Sequence, residues 1–332
     1  MTRVVQLQGG AARRVASVDE PHLRLLADTA SVYELADLAL RERASLAAVI
    51  KRLTTGESID YDTVYNGRSE WQLLVPIDHP ADAGRCLVSG TGLTHLGSAA
   101  SRNAMHGKAD VELTDSMRMF KSGVEGGRPA QGAIGTPPEW FYKGTGSVLR
   151  AHLEPLLVPP YALDGGEEAE IAGVYVIDAA GQPRRIGMAA GNEFSDHQFE
   201  KMNYLNLAGS KLRSCALGPE LVIDPDFHCV HGHVSVERAG ETVWNRDIAS
   251  GEKEMCHSLA NIEHHHFKFD AHRRPGDLHV HFFGAHSLSF SDGVQLRDGD
   301  RMTIQFDGFG RALRNPLRVA RPDFTPIMVQ QL

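Results

Sequence analysis

A chain of 332 residues, 42% hydrophobic and 23% charged, is long enough to bury a large core and too apolar to stay disordered. Its 34 basic and 42 acidic side chains leave a formal charge of −8 with the Arg and Lys residues scattered, so nucleic acid is not an expected partner. No apolar run is long enough for a membrane span, no secretory-type stretch opens the chain, and Cys86, Cys215, Cys229 and Cys256 form no C-x-x-C pair. A cytoplasmic protein with reduced thiols is therefore expected.

In chain order, residues 1–78 read as a small α/β lobe and 79–332 as a larger part that holds every chemical motif. Val4–Leu7 and Arg14–Val18 have strand character. Ser31-Val32-Tyr33-Glu34 has the form of a capping box, and Leu35, Leu38, Leu46, Val49 and Ile50 keep helical spacing behind it, which predicts one supporting helix. From Trp71 the texture changes to short β-like runs broken by Gly, Pro and Asp. Residues 98–137 form an irregular stretch with one short helix around Asp115–Lys121, and such segments in enzymes tend to be lids or binding loops. Ser195-Asp196-His197-Gln198 is a second capping box, followed by Phe199, Met202 and Leu205 as an apolar helix face. Near the end, Met302, Ile304 and Phe306 alternate with Arg301, Thr303 and Gln305 before a Gly-rich turn, which predicts a half-buried strand.

The acids around the apolar run Gly173–Ile177 carry the chemistry. Side chains two apart on a strand project to one side, so Glu168 and Glu170 can aim at one point while Glu167 faces away. Glu193, brought in from the next element, would complete an all-oxygen site. Hard oxygen donors favour Mg²⁺ or Mn²⁺ over zinc or copper. A lone E-x-E reads equally well as exposed strand-end charges, so the surrounding motifs have to decide. The histidines at 231, 233, 264–266, 279 and 281 lack accompanying cysteines or an H-x-x-x-H pattern and read as packed or hydrogen-bonded residues.

Pro138-Glu139-Trp140-Phe141-Tyr142-Lys143-Gly144-Thr145, then Glu168-x-Glu170, then Gly191-Asn192-Glu193-x-Ser195, then Lys211 ahead of Leu217-Gly218-Pro219, and finally Gly299–Ile304 with Gly310 and Asn315-Pro316, together resemble the fumarylacetoacetate hydrolase superfamily. The resemblance covers about residues 85 to 332. It implies a β-rich α+β fold, a mixed β-roll catalytic domain behind the smaller N-terminal lobe. It makes Glu168, Glu170 and Glu193 the ligands of Mg²⁺ or Mn²⁺, with Glu193 in place of the commoner Asp. Glu139 becomes a fourth ligand or the holder of a bound water. Lys143 and Lys211 fall where the superfamily places basic residues, with Arg213 as an alternative to Lys211. His95 matches an acid–base histidine, but Ser98 stands where hydrolases carry the orienting Glu, which lowers the C–C hydrolase reading. His286 and Ser287 fall where the substrate carboxylate is contacted.

Pro-Glu-x-Phe-x-Lys ahead of E-x-E resembles the sugar-acid dehydratase branch. It implies dehydration of 2-keto-3-deoxypentonate to 2,5-dioxopentanoate, with His95, Lys211 and Glu139 catalytic and Lys143, Ser287 and His286 binding a small 2-keto acid. An acylpyruvate-type hydrolase, a 2-keto-acid decarboxylase and a non-catalytic sugar-acid-binding protein are the alternatives. A homo-dimer or dimer of dimers is the expected assembly.

Overall fold

Strand residues and helix residues separate by period, and the computed structural model follows that separation through the residues it describes, 1–96, 114–323 and 325–332. Ser98 and part of the expected 98–137 loop lie outside them. The front lobe contributes β1 (Thr2–Gly9), β2 (Ala12–Asp19), β3 (His22–Leu26), β4 (Thr54–Asp60) and β5 (Gln72–Leu73). Next come β6 (Cys86–Gly92), β7 (Glu139–Thr145), β8 (Leu149–Arg150), β9 (Leu156–Val158), β10 (Ala169–Ile177), β11 (Pro183–Asn192), β12 (Cys215–Leu217) and β13 (Leu221–Ile223). The last are β14 (Val230–Arg238), β15 (Glu241–Ser250), β16 (Leu278–Phe282), β17 (Arg301–Phe306) and β18 (Leu313–Val319). The main path of the large sheet runs β4-β3-β2-β1-β13-β11-β10-β16-β6-β7, and a smaller one runs β15-β14-β17-β18-β9. The fold is thus α+β and strand-rich, as expected.

Residues 1–78 share this sheet with the rest of the chain, because β1 pairs with β13 through Thr2↔Ile223, Arg3↔Val222 and Val4↔Leu221. They share a core too: Val4, Val15, Leu35, Val49 and Ile50 belong to one buried cluster with Val174, Val176, Val280 and Phe282. A second cluster fills the space between the sheets, with Ile171 and Met188 against Val234, Met302, Ile304 and Leu313. Strand β17 has the predicted alternation, with Met302, Ile304 and Phe306 buried.

Three local expectations need correction. The supporting helix is two helices, Val32–Glu42 and Leu46–Leu53, because Arg43 adopts φ 55° and closes the first by donating its N–H to Ala39 and Leu40, after which Ser45 caps the second. The Ser31 capping box itself is present, with Glu34 returning its side chain to the cap. The second capping box starts one residue late: the N-cap of His197–Met202 is Asp196, which accepts from Phe199 N, while the Ser195 hydroxyl is engaged elsewhere. That helix ends at Met202, so Met202 and Leu205 form no buried face and are 70% and 85% exposed. The helix expected over Asp115–Lys121 runs on to Gly126. Among the described residues no helix is long and apolar enough to cross a membrane.

Candidate active site

Strand β10 is buried along its whole length, flanked by β11 and β16. Its antiparallel register with β11 sets Glu170 opposite Gly191 and Ala169 opposite Asn192. This register delivers Glu193, just past the end of β11, beside the start of β10, and Glu193 N donates to the Glu168 carbonyl at 2.9 Å. Strand parity puts Glu168 and Glu170 on one face and Glu167 on the other. Glu167 is fully buried, where it accepts from the Ser289 amide at 2.7 Å and the Ser289 hydroxyl at 2.6 Å. It thereby anchors the loop after β16.

The three acids converge. One carboxylate oxygen from each of Glu168, Glu170 and Glu193 lies within 4.8 Å of the others, and the residues are 8%, 1% and 0% exposed. Glutamates are seldom buried without compensation. Two lysines supply part of it. Lys211 Nζ donates to Glu168 Oε1 at 2.6 Å and to Glu193 Oε2 at 2.7 Å, and Lys143 Nζ is 2.6 Å from Glu193 Oε1 while donating to the Phe194 carbonyl at 2.7 Å. Ser195 Oγ donates to Glu193 Oε2 at 2.8 Å, and the Gly284 amide donates to Glu170 Oε2 at 2.7 Å.

Strand β7 explains how Lys143 arrives. Its alternate residues Glu139, Phe141 and Lys143 are buried while Trp140 and Tyr142 face out. Phe141 lies under Lys211, whose Nζ is 4.7 Å from the ring centroid. Glu139 Oε2 accepts from the Tyr204 hydroxyl at 2.6 Å. Across the strand pair, Gly92 faces Glu139, and a Cβ at position 92 would fall 1.9 Å from Glu139 Oε1, so only glycine leaves this carboxylate its place.

The electrostatics sort these groups. Burial would raise the Glu168 carboxyl, but Lys211 and His197 hold it well below the ordinary carboxylate range. Glu170 goes the other way: burial, then the charges of Glu193 and Glu168, push it well above that range. Burial would lower Lys211, yet Glu168 and Glu193 keep it firmly protonated, whereas Lys143 is lowered by burial that Glu193 only partly offsets. Two ammonium groups face three carboxylates, and Glu170, the one to which neither lysine is bonded, holds its proton most tightly. The donor set therefore fits a hard divalent cation, which would supply the charge that the lysines do not.

The remaining sequence candidates are distributed differently. His286 and Ser287 line a cavity of about 1010 Å³ together with Glu139, Glu168, Tyr204 and Lys211, and His286 Nδ1 lies 2.8 Å from Ser287 Oγ. Arg213 does not replace Lys211: it pairs with Asp196 at 3.0 Å and donates to the Asp164 carbonyl. His95 is wholly enclosed, its ring nitrogens 2.9 Å from Thr94 Oγ1 and 3.1 Å from Ser250 Oγ, and burial lowers its pKa to about 3. The other histidines are structural in their contacts. His266 Nε2 meets His279 Nδ1 at 2.9 Å, His281 sits between Ser89 and Thr91, and His233 pairs with Asp247. Among the described residues the glutamate triad is the metal-competent group.

Sequence reasoning missed Tyr204 and His197. His197 lies inside the capping signal and could have been found there; nothing around Tyr204 marks it, because its approach to Glu139 spans 65 residues.

No family model and no curated protein sequence matches the chain. Solved structures do. A 2-keto-3-deoxyarabinonate dehydratase gives a TM-score of 0.71 at 16% identity, over 96% of this chain and 99% of that one. A 2-keto-3-deoxy-D-arabinonate dehydratase complexed with magnesium and 2,5-dioxopentanoate gives 0.70 at 16% identity over the same shares. The 2-hydroxyhepta-2,4-diene-1,7-dioate isomerase from Mycobacterium marinum gives 0.59 at 17% identity, over 96% of this chain and 100% of that one. Identities this low carry architecture and not the bond that is broken. The chain has the fumarylacetoacetate hydrolase-like fold that the order of its motifs implies.

Proposed function

We propose that this protein dehydrates a 2-keto-3-deoxypentonate to 2,5-dioxopentanoate with Mg²⁺ or Mn²⁺ held by Glu168, Glu170 and Glu193. The observation that carries the reading is the buried acid triad, which reaches through Glu168 a cavity whose wall includes hydroxyl and amide side chains. Ser116, Gln198, Ser287, Ser291 and Gln295 line that cavity and suit a polyhydroxy acid. The neighbour with a TM-score of 0.70 binds magnesium and 2,5-dioxopentanoate, which supports the same chemistry here.

When bound, the cation supplies Lewis-acid polarisation of a 2-keto group, which acidifies the neighbouring C3–H bond. The chain's own residues do the rest. Lys211 holds Glu168 and Glu193 in place, and Lys143 holds Glu193 from the other side. His286 and Ser287, on the cavity wall, take the substrate carboxylate. Glu139, oriented by Tyr204, handles the proton that accompanies the C4 hydroxyl as it leaves as water. Loss of the C3 proton and the C4 hydroxyl gives a 3,4-alkene; moving a proton from C5 to C3 gives the C4–C5 enol, and passing its hydroxyl proton to C4 leaves the second carbonyl at C5. His95, neutral and bonded to Thr94 and Ser250, serves this site by holding the wall that carries His286, whose ring lies 6.5 Å from its own.

The test is incubation with each enantiomer of 2-keto-3-deoxypentonate and with acetylpyruvate in deuterated water containing Mg²⁺. The expected product is 2,5-dioxopentanoate with solvent deuterium at C4, delivered from the exchanged enol hydroxyl, oxidised onward by a coupled semialdehyde dehydrogenase. Pyruvate with a two-carbon fragment, or hydrolysis of acetylpyruvate at a higher kcat/KM, would overturn the reading.

A further inference from the structure

The Glu168 carboxylate has a second donor besides Lys211. His197 Nε2 lies 3.0 Å from Glu168 Oε1, the same oxygen that Lys211 Nζ reaches at 2.6 Å. The imidazole is 5% exposed, and its Nδ1 has no hydrogen-bond partner, so Nε2–H to Glu168 is the ring's polar contact. We infer that His197 is a positioning residue of the cation site, pinning Glu168 Oε1 so that the other oxygen is presented to the divalent ion. This rests on the divalent-cation reading of Glu168, Glu170 and Glu193.

Three features of the fold support it. Lys211 alone cannot orient Glu168, because its ammonium is shared with Glu193. The backbone at His197 is anchored: it opens the helix capped by Asp196, and Asp196 is itself tied to Leu163 N at 3.0 Å and Arg213 at 3.0 Å. The segment in front of Glu168 closes the other side, with Gly166 and Ser195 exchanging backbone bonds at 3.0 and 3.1 Å. Between the two, the ring is held against Gly166 so tightly that a Cβ there would sit 2.3 Å from Nδ1. Gly166 thus leaves the ring its room, and an alanine would displace it from Glu168 without touching a carboxylate. Donors of this kind behind a ligand commonly govern affinity by 10- to 100-fold.

The experiment is a Mn²⁺ titration, following the free-ion electron paramagnetic resonance signal, on the wild type, His197→Phe, His197→Gln, Gly166→Ala, the Gly166→Ala/His197→Phe double variant and Glu170→Gln. His197→Phe and Gly166→Ala are expected to raise the Mn²⁺ dissociation constant roughly 10- to 100-fold. His197→Gln, whose amide nitrogen reaches the place of Nε2, keeps most of the affinity. The double variant binds no more weakly than His197→Phe alone, since both changes break one contact. Wild-type affinity in a folded His197→Phe, or equal losses in His197→Phe and His197→Gln, overturns the positioning role while leaving the cation reading standing. Should His197→Phe not fold, Gly166→Ala against His197→Gln decides by the same criteria. Glu170→Gln separates the two levels: if it binds Mn²⁺ like the wild type, or the wild type binds none, the cation reading falls and the inference with it.

Discussion

Replacing Lys211 by Met removes the ammonium that two buried carboxylates share and keeps a stem of nearly the same length over Phe141. Each charge-assisted bond is worth about 1.5–3 kcal/mol, but the two do not simply add, because Lys143 stays on Glu193 and His197 stays on Glu168. The applicable figure is that for removing one partner of a buried ion pair, about 3–5 kcal/mol. Urea unfolding of the metal-free protein near neutral pH should show that loss. Mn²⁺ at a hundred times its dissociation constant would add about 2.7 kcal/mol to any variant that binds it, so both proteins are compared in chelator. The gap has a pH signature. Glu168 is held below its ordinary value of 4.5 chiefly by Lys211 acting against burial, so its contribution is present above that value and is lost as pH falls through the folded pKa. The difference between wild type and variant is therefore widest near neutrality and narrows under acid conditions. A gap below about 1 kcal/mol, the scale of an exposed ion pair, would refute the claim that Lys211 compensates buried charge.

Other outcomes are expected. Chelation should abolish turnover and Mg²⁺ or Mn²⁺ restore it, with Glu170→Gln losing both metal and activity; full activity after exhaustive chelation contradicts the site. Tyr204→Phe removes the 2.6 Å bond to Glu139, worth about 1.5–3 kcal/mol. It should lower kcat while leaving Mn²⁺ affinity unchanged, and an unaltered kcat would show that Tyr204 does not orient Glu139 for proton transfer. His95 has its folded pKa lowered to about 3 by burial, so below about pH 6.5 the unfolded chain takes up a proton that the native state refuses. Relative to His95→Gln, the wild type should lose about 1.4 kcal/mol per pH unit between roughly 6.5 and 4, and a pH-independent difference would show that His95 is protonated in the fold.

The chain by itself determined what local pattern can encode. Ser31 and Glu34 specify a helix start because both halves of that cap lie within four residues, and the alternation in Arg301–Phe306 specifies a half-buried strand because its period matches the pleat. Glu168-x-Glu170 announced two carboxylates on one side for the same reason, and the order of the motifs around it pointed to the fold. The break at Arg43 was not legible, since a left-handed non-glycine residue leaves no compositional mark. Nor could a window of sequence show Met202 and Leu205 exposed, because burial depends on what packs opposite.

Tertiary structure alone decided the charge balance of the site. The β10–β11 register brings Glu193 beside Glu168, β7 carries Lys143 in from 50 residues away, and the chain after Met202 returns Tyr204 to Glu139 and Lys211 to two acids at once. These are long-range contacts. Coulomb interaction and desolvation act through space, so the sequence could name the ionisable groups, but only the fold could determine which carboxylate sits low, which sits high, and where a cation would fit.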